Sequence, residues 1–128
     1  MAYLLIALGS AIGGVTRYWC SGWVAARTHA AFPFGTLFVN VVGSFLIGAA
    51  FAALEPSDKL ALTNELRTSI NQFFMIGVLG GFTTFSSFSL QTLTLLRQQE
   101  WLSASTNIVS SLVLCLVAVW LGYWLIAK

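Results

Sequence analysis

The residues best suited to chemistry in this chain are hydroxyl side chains that alternate with three phenylalanines just after a pair of glycines. They read Gly-Gly-Phe-Thr-Thr-Phe-Ser-Ser-Phe-Ser over residues 80–89, inside a run without charge from 68 to 96. Phe85 and Phe88 lie on nearly the same face of a helix. A polar segment weakened by glycines is tolerated at membrane depth only where protein covers it or where it lines a wet cavity. The stretch therefore predicts a pore or a binding site.

Two further polar residues lie inside apolar segments, and each has two interpretations. A buried amide needs hydrogen-bond partners, so Asn40 either joins helices or offers its NH₂ group to a permeating anion. An embedded arginine is costly, so Arg17 either attracts an anion or caps backbone carbonyls near an interface. The sequence leaves both questions open.

A polar stripe is expected in the last apolar segment. Ser103, Asn107, Ser110 and Ser111 recur there at spacings of three and four residues and share a rough helix face. Such a stripe, opposite residues 80–89, is what a narrow hydrated path needs. Ser110 and Ser111 are the candidate donors to an anion, although serine hydroxyls also bond their own helix.

The composition indicates an integral membrane protein. Of its 128 residues 58% are hydrophobic and 8% are charged, and the mean hydropathy is +0.86, whereas soluble domains carry roughly 25% charge. The net charge of +2 comes from scattered bases and argues against a nucleic-acid partner. Cys20 and Cys115 lack metal-ligand spacing and are expected to be small buried hydrophobes.

The apolar segments predict an all-α membrane protein with a single domain over residues 1–128. Four transmembrane helices are expected at about 2–26, 34–54, 68–96 and 101–127, with the third broken at the Gly-Gly-x-Thr-Thr motif, near Gly80 and Gly81. Both termini then lie on one side of the membrane. The basic residues counted on that side are Lys59, Arg67 and Lys128, and those on the other side are Arg27 and Arg97. This near balance suggests insertion in both orientations and assembly as an antiparallel dimer.

Three stretches resemble one known family. They are Gly13–Tyr18, Gly35–Gly43 and Gly80–Ser89, and the last is a specific motif for a membrane segment. With its length and four-helix layout, the whole chain resembles the Fluc (CrcB) family of small bacterial fluoride channels.

The resemblance implies more than the residues alone. Family members are antiparallel, dual-topology homodimers in the bacterial inner (cytoplasmic) membrane, and they export fluoride passively through two narrow pores. Phe85, Phe88 and Asn40 then line the pore, and Arg17 matches the arginine of the first helix. A structural sodium ion is expected at the dimer centre. Its ligands are backbone carbonyls, which belong by motif position to Gly80 and Thr83.

The chain departs from the family pattern at two positions. Gln91 stands where many members carry an acidic residue, and Asn107 aligns with an aromatic hydroxyl of some members. Both departures bear on the pore entrance.

Other functions fit the sequence less well. A small proton-coupled multidrug exporter matches in size, but it needs a carboxylate within the membrane, and all four acids fall in predicted loops. A structural subunit would explain the small residues but not the polar stripe. No nucleophile–base pair or metal constellation points to an enzyme.

Overall fold

The computed structural model describes residues 1–28, 31–55 and 62–128. Within these ranges every regular element is helical. Residues 29–30 and 56–61, which include Lys59 of the predicted base count, lie outside the described part. The elements in chain order are α1 (Ala2–Thr28), α2 (Phe34–Leu54), α3 (Asn64–Ile70), a π-helical stretch (Asn71–Leu79), α4 (Gly80–Phe82), α5 (Phe85–Arg97) and α6 (Trp101–Ala127).

Three helical runs in the described part of the chain are long and apolar enough to cross a membrane. They cover residues 34–54, 64–97 and 101–127. The run at 64–97 begins four residues before the predicted start at Thr68, because Thr63 caps α3 by accepting a hydrogen bond from the Leu66 N–H. α1 is 27 residues long and ends two residues beyond the predicted end. A fourth crossing by α1 stays a prediction.

Glycines set the distance between neighbouring helices. α2 packs along α6 where Gly48 faces Val119 and Gly122 faces Phe45, and a Cβ built on Gly122 would lie 3.0 Å from the Ala49 nitrogen. Because a side chain there would overlap backbone atoms, only glycine permits this approach. Gly48 is therefore a packing residue of α2.

α1 packs on the run at 64–97 in the same way. A Cβ on Gly9 would lie 2.9 Å from the Gly77 Cα, and a Cβ on Gly13 would lie 2.8 Å from the Phe82 nitrogen. The space beside Gly14 is open. The face of α1 that packs closely against its neighbour therefore includes Gly9 and Gly13.

An arginine closes the connection between α2 and α3. The Arg67 guanidinium donates to the carbonyls of Leu54 and Glu55, at 2.5 and 2.7 Å, and to the Leu62 carbonyl at 3.4 Å. The last carbonyls of a helix lack partners within it, and a cationic donor there is favourable. Arg67 therefore connects the end of α2 to the start of the run at 64–97 through hydrogen bonds.

The run at 64–97 is interrupted at two threonines. Gly80 is helical, with φ −63° and ψ −37°, whereas Thr83 and Thr84 are extended, with ψ of 156° and 113°. The break was expected within the Gly-Gly-x-Thr-Thr motif, near the glycines, and it falls at the threonines of that motif. In the structure Gly81 instead allows close approach to α1, because a Cβ there would lie 2.7 Å from the Ser10 carbonyl oxygen.

Candidate functional site

The helix interruption is held by the side chain of Asn40. Its Nδ2 donates to the Thr84 carbonyl oxygen at 3.1 Å, and its Oδ1 accepts from the Thr84 N–H at 2.8 Å. Both backbone groups of one extended residue are thus satisfied by an amide on another helix. The helix-joining interpretation of Asn40 is confirmed. Since an amide NH₂ has two hydrogens, one donor remains for a ligand.

The Thr84 side chain starts the next helix. Its hydroxyl oxygen accepts from the Ser87 N–H at 3.2 Å, as an N-cap does, and its hydroxyl donates to the Ser87 hydroxyl at 3.1 Å. The Ser86 hydroxyl lies 3.2 Å away. The hydroxyl-rich motif therefore builds the beginning of α5.

A cleft of about 350 Å³ opens beside this interruption. Asn40 and Ser111 lie in it with both phenylalanines of the motif. The rings of Phe85 and Phe88 are tilted by 46°, with centroids 5.3 Å apart, and Phe85 is 75% exposed. The full lining is Asn40, Gly43, Ser44, Ile47, Thr83, Thr84, Phe85, Phe88, Ser111, Leu112, Cys115 and Leu116.

The structure separates the two serines proposed on α6. Ser111 is buried and lines the cleft, and its hydroxyl has no hydrogen-bond partner among the described residues. Ser110 lies on a different hollow of α6, and its hydroxyl donates to the Asn107 carbonyl of its own helix at 3.4 Å. Within one chain the geometry brings Ser111, and not Ser110, to Asn40. A pore role for Ser110 stays a prediction.

Asn107, a member of the predicted polar stripe, lies in the protein interior on the same buried face of α6 as Ser111. It is 2% exposed, and its Nδ2 donates to the Thr92 hydroxyl oxygen at 2.9 Å. The Thr92 hydroxyl in turn donates to the Phe88 carbonyl at 2.8 Å. This chain of hydrogen bonds fixes the turn of α5 that carries Phe88 against α6.

The interruption also frees backbone carbonyls. The Thr84 N–H, which would close the next helical turn on the Gly80 carbonyl, donates to Asn40 instead. The Ser87 N–H, which would reach the Thr83 carbonyl, donates to the Thr84 hydroxyl oxygen. Carbonyl oxygens released in this way are hard ligands suited to an alkali cation. The residues present therefore fit the expected sodium ion.

With the cleft described, comparison with known proteins decides the family. A family model described as "CrcB-like protein, Camphor Resistance (CrcB)" matches residues 4–123. This chain belongs to the CrcB family.

Bacterial members of the CrcB family match nearly the whole chain. A protein of Opitutus terrae is 56% identical over 121 residues, covering 94% of this chain and 89% of its own. Proteins of Paramagnetospirillum magneticum and Geobacter sulfurreducens are 52% and 48% identical, covering 96% and 93% of this chain and 93% and 91% of their own. Each is named "Fluoride-specific ion channel FluC". With its apolar helices, the chain is a multi-pass membrane protein.

Two polar residues of the CrcB chain lie outside the cleft. Arg17 is partly buried on α1, and no described residue accepts a hydrogen bond from it. Gln91 lines a separate hollow of about 440 Å³ with Thr36, Thr94 and Gln98. Its Oε1 is buried without a partner in the described part of the chain. An anion-attracting role for Arg17 stays a prediction.

The described acids lie at the ends of helical runs. Glu55 follows α2, Glu65 lies in the first turn of α3, and Glu100 precedes α6. The Tyr123 hydroxyl lies 3.4 Å from both carboxylate oxygens of Glu55. None of these three carboxylates lines the cleft.

Proposed function

We propose that the chain forms a fluoride-selective channel through which cytoplasmic fluoride leaves passively, down its gradient. The observation that carries this proposal is the cleft in which Asn40, Ser111, Phe85 and Phe88 meet. It lies in a chain about half identical to proteins named as fluoride-specific channels.

Neutral donors suit the transport of fluoride. Moving a bare ion into a medium of low dielectric constant costs on the order of tens of kcal/mol, so the path must replace lost water. A conducting site must also release the ion, which a strong fixed positive charge would hinder. The second N–H of Asn40 and the hydroxyl of Ser111 are neutral donors that no described residue occupies.

The phenylalanines supply a weaker kind of contact. The quadrupole of an aromatic ring places partial positive charge at its edge. The rings of Phe85 and Phe88 are tilted relative to each other. In this arrangement they can present their edges to an anion in the cleft without binding it tightly. A narrow bore lined in this way favours the smaller fluoride over chloride.

A second copy of the chain completes the path in this proposal. The cleft is flanked by large apolar side chains that one chain leaves exposed, namely Phe85 at 75%, Leu116 at 67% and Leu112 at 54%. Packing against another copy covers them and closes the cleft, so that a homodimer holds two pores. The near-equal loop bases favour an antiparallel pair in the bacterial inner membrane.

Dual topology predicts that a C-terminal tag is found on both sides of the membrane in living cells. A protease or a thiol reagent that does not cross the membrane should reach about half of the tags, because nearly balanced bases give no preferred orientation. Tags on one side in every molecule would contradict the antiparallel arrangement.

A sodium ion at the dimer centre is proposed to rest on the carbonyls of Gly80 and Thr83. Two carbonyls are too few to hold a hard cation, and the matching carbonyls of the second copy bring the number of protein oxygen ligands to four. Bound to these carbonyls, the ion would supply positive charge that links the two chains.

Replacing sodium by a large organic cation should therefore lower the thermal stability of the purified dimer, because an ion bound only to the folded state stabilises it. Thermal unfolding in matched sodium and N-methylglucamine buffers measures the effect. Equal unfolding temperatures at every sodium concentration would argue against the site.

Ion efflux from liposomes tests the proposed function. Vesicles that hold the purified protein and either fluoride or chloride are treated with a potassium ionophore, and each anion is followed with a selective electrode. We expect rapid loss of fluoride and retention of chloride, because only the smaller ion fits the narrow path. Retention of fluoride by folded, dimeric protein would overturn the proposal.

A further inference from the structure

Ser44 lines the same cleft as Asn40, although it belongs to none of the sequence motifs described above. It follows Asn40 by four residues on α2, so the two side chains lie one turn apart on the same helix face. Ser44 lines the cleft together with Phe88 and Ser111, and it is partly buried.

The Ser44 hydroxyl has no hydrogen-bond partner among the described residues. Several serine and threonine hydroxyls in the described helices donate to the carbonyl one turn back. Those that reach back four residues are Thr16, Thr28, Thr68, Ser89, Thr92 and Thr94. A hydroxyl that lacks such a bond in a largely apolar cleft is costly unless a ligand or water occupies it.

We infer that Ser44 is a further fluoride-binding residue, which donates its O–H to the anion one turn along α2 from Asn40. This deepens the proposed function and rests on it. Ser111 on α6 lines the same cleft and also has an unoccupied hydroxyl. The anion can therefore pass from the Asn40 amide to hydroxyls on two helices that pack together.

The chemistry of the cleft explains why a second donor on α2 is needed. Beyond Ser111, α6 offers Cys115, whose thiol is only a weak donor, and Leu116, which has none. On α2, Gly43 and Ile47 also offer no side-chain donor. Ser44 thus supplies the cleft with a second unoccupied hydroxyl, on the helix opposite Ser111.

The test is fluoride efflux from liposomes with the full-length Ser44→Ala variant. Ser69→Ala on α3 is the matched control, since Ser69 is also partly buried, its hydroxyl has no partner in the described part of the chain, and it does not line the cleft. Size-exclusion chromatography and thermal unfolding count the folded dimer in each sample. Efflux per folded dimer is measured over a range of fluoride concentrations.

We expect Ser44→Ala to slow fluoride efflux per folded dimer by about tenfold, since hydrogen bonds to charged groups are the stronger kind. The fluoride concentration for half-maximal efflux should rise, which a change in folded fraction alone does not produce. Ser69→Ala should match the wild type. Wild-type behaviour of Ser44→Ala, or equal slowing in both variants, would overturn the inference. A wild-type protein that releases no fluoride would overturn the proposed function instead.

Discussion

The double hydrogen bond between Asn40 and Thr84 is the constraint on which the site depends. An extended residue inside an apolar helical run exposes an N–H and a carbonyl that lipid cannot satisfy. One amide, 44 residues away in sequence, satisfies both. Because the Thr84 hydroxyl then caps α5, the new helix begins at Phe85. Asn40 thereby sets the position of both phenylalanines relative to α2, and its own second N–H stays beside them.

The rest of the molecule holds α2, α5 and α6 around this bond. Gly48 and Gly122 let the backbones of α2 and α6 approach closely. Buried Asn107, acting through Thr92, fixes the turn of α5 that bears Phe88. A polar network with its donors matched to acceptors is rigid. The cleft thus combines a rigid wall with a few donors that are left for a ligand.

Much of this site could be predicted from the sequence, and the failures have physical causes. The composition identified the class of membrane proteins. Because a polar amide inside an apolar segment needs partners, the sequence also indicated that Asn40 is hydrogen-bonded. The break was expected within the Gly-Gly-x-Thr-Thr motif, near its glycines, but propensity could not show that hydrogen bonding to Asn40 favours the two threonines of that motif. Ser110 and Ser111 differ by about 100° on α6, and spacing alone could not choose between them. The roles of Arg67 and Ser44 depend on partners, or the lack of them, that appear only in three dimensions.

Modification of Cys115 tests most directly whether fluoride crosses this cleft. Cys115 lines the cleft and is partly buried, whereas Cys20 lies on α1 outside it. A small methanethiosulfonate adds a thiomethyl group, and mass spectrometry reports which thiol reacted. If the cleft is the path, fluoride efflux falls in proportion to the modified fraction of Cys115, and the Cys115→Ser variant is insensitive. Unchanged efflux with Cys115 fully modified would show that fluoride crosses elsewhere.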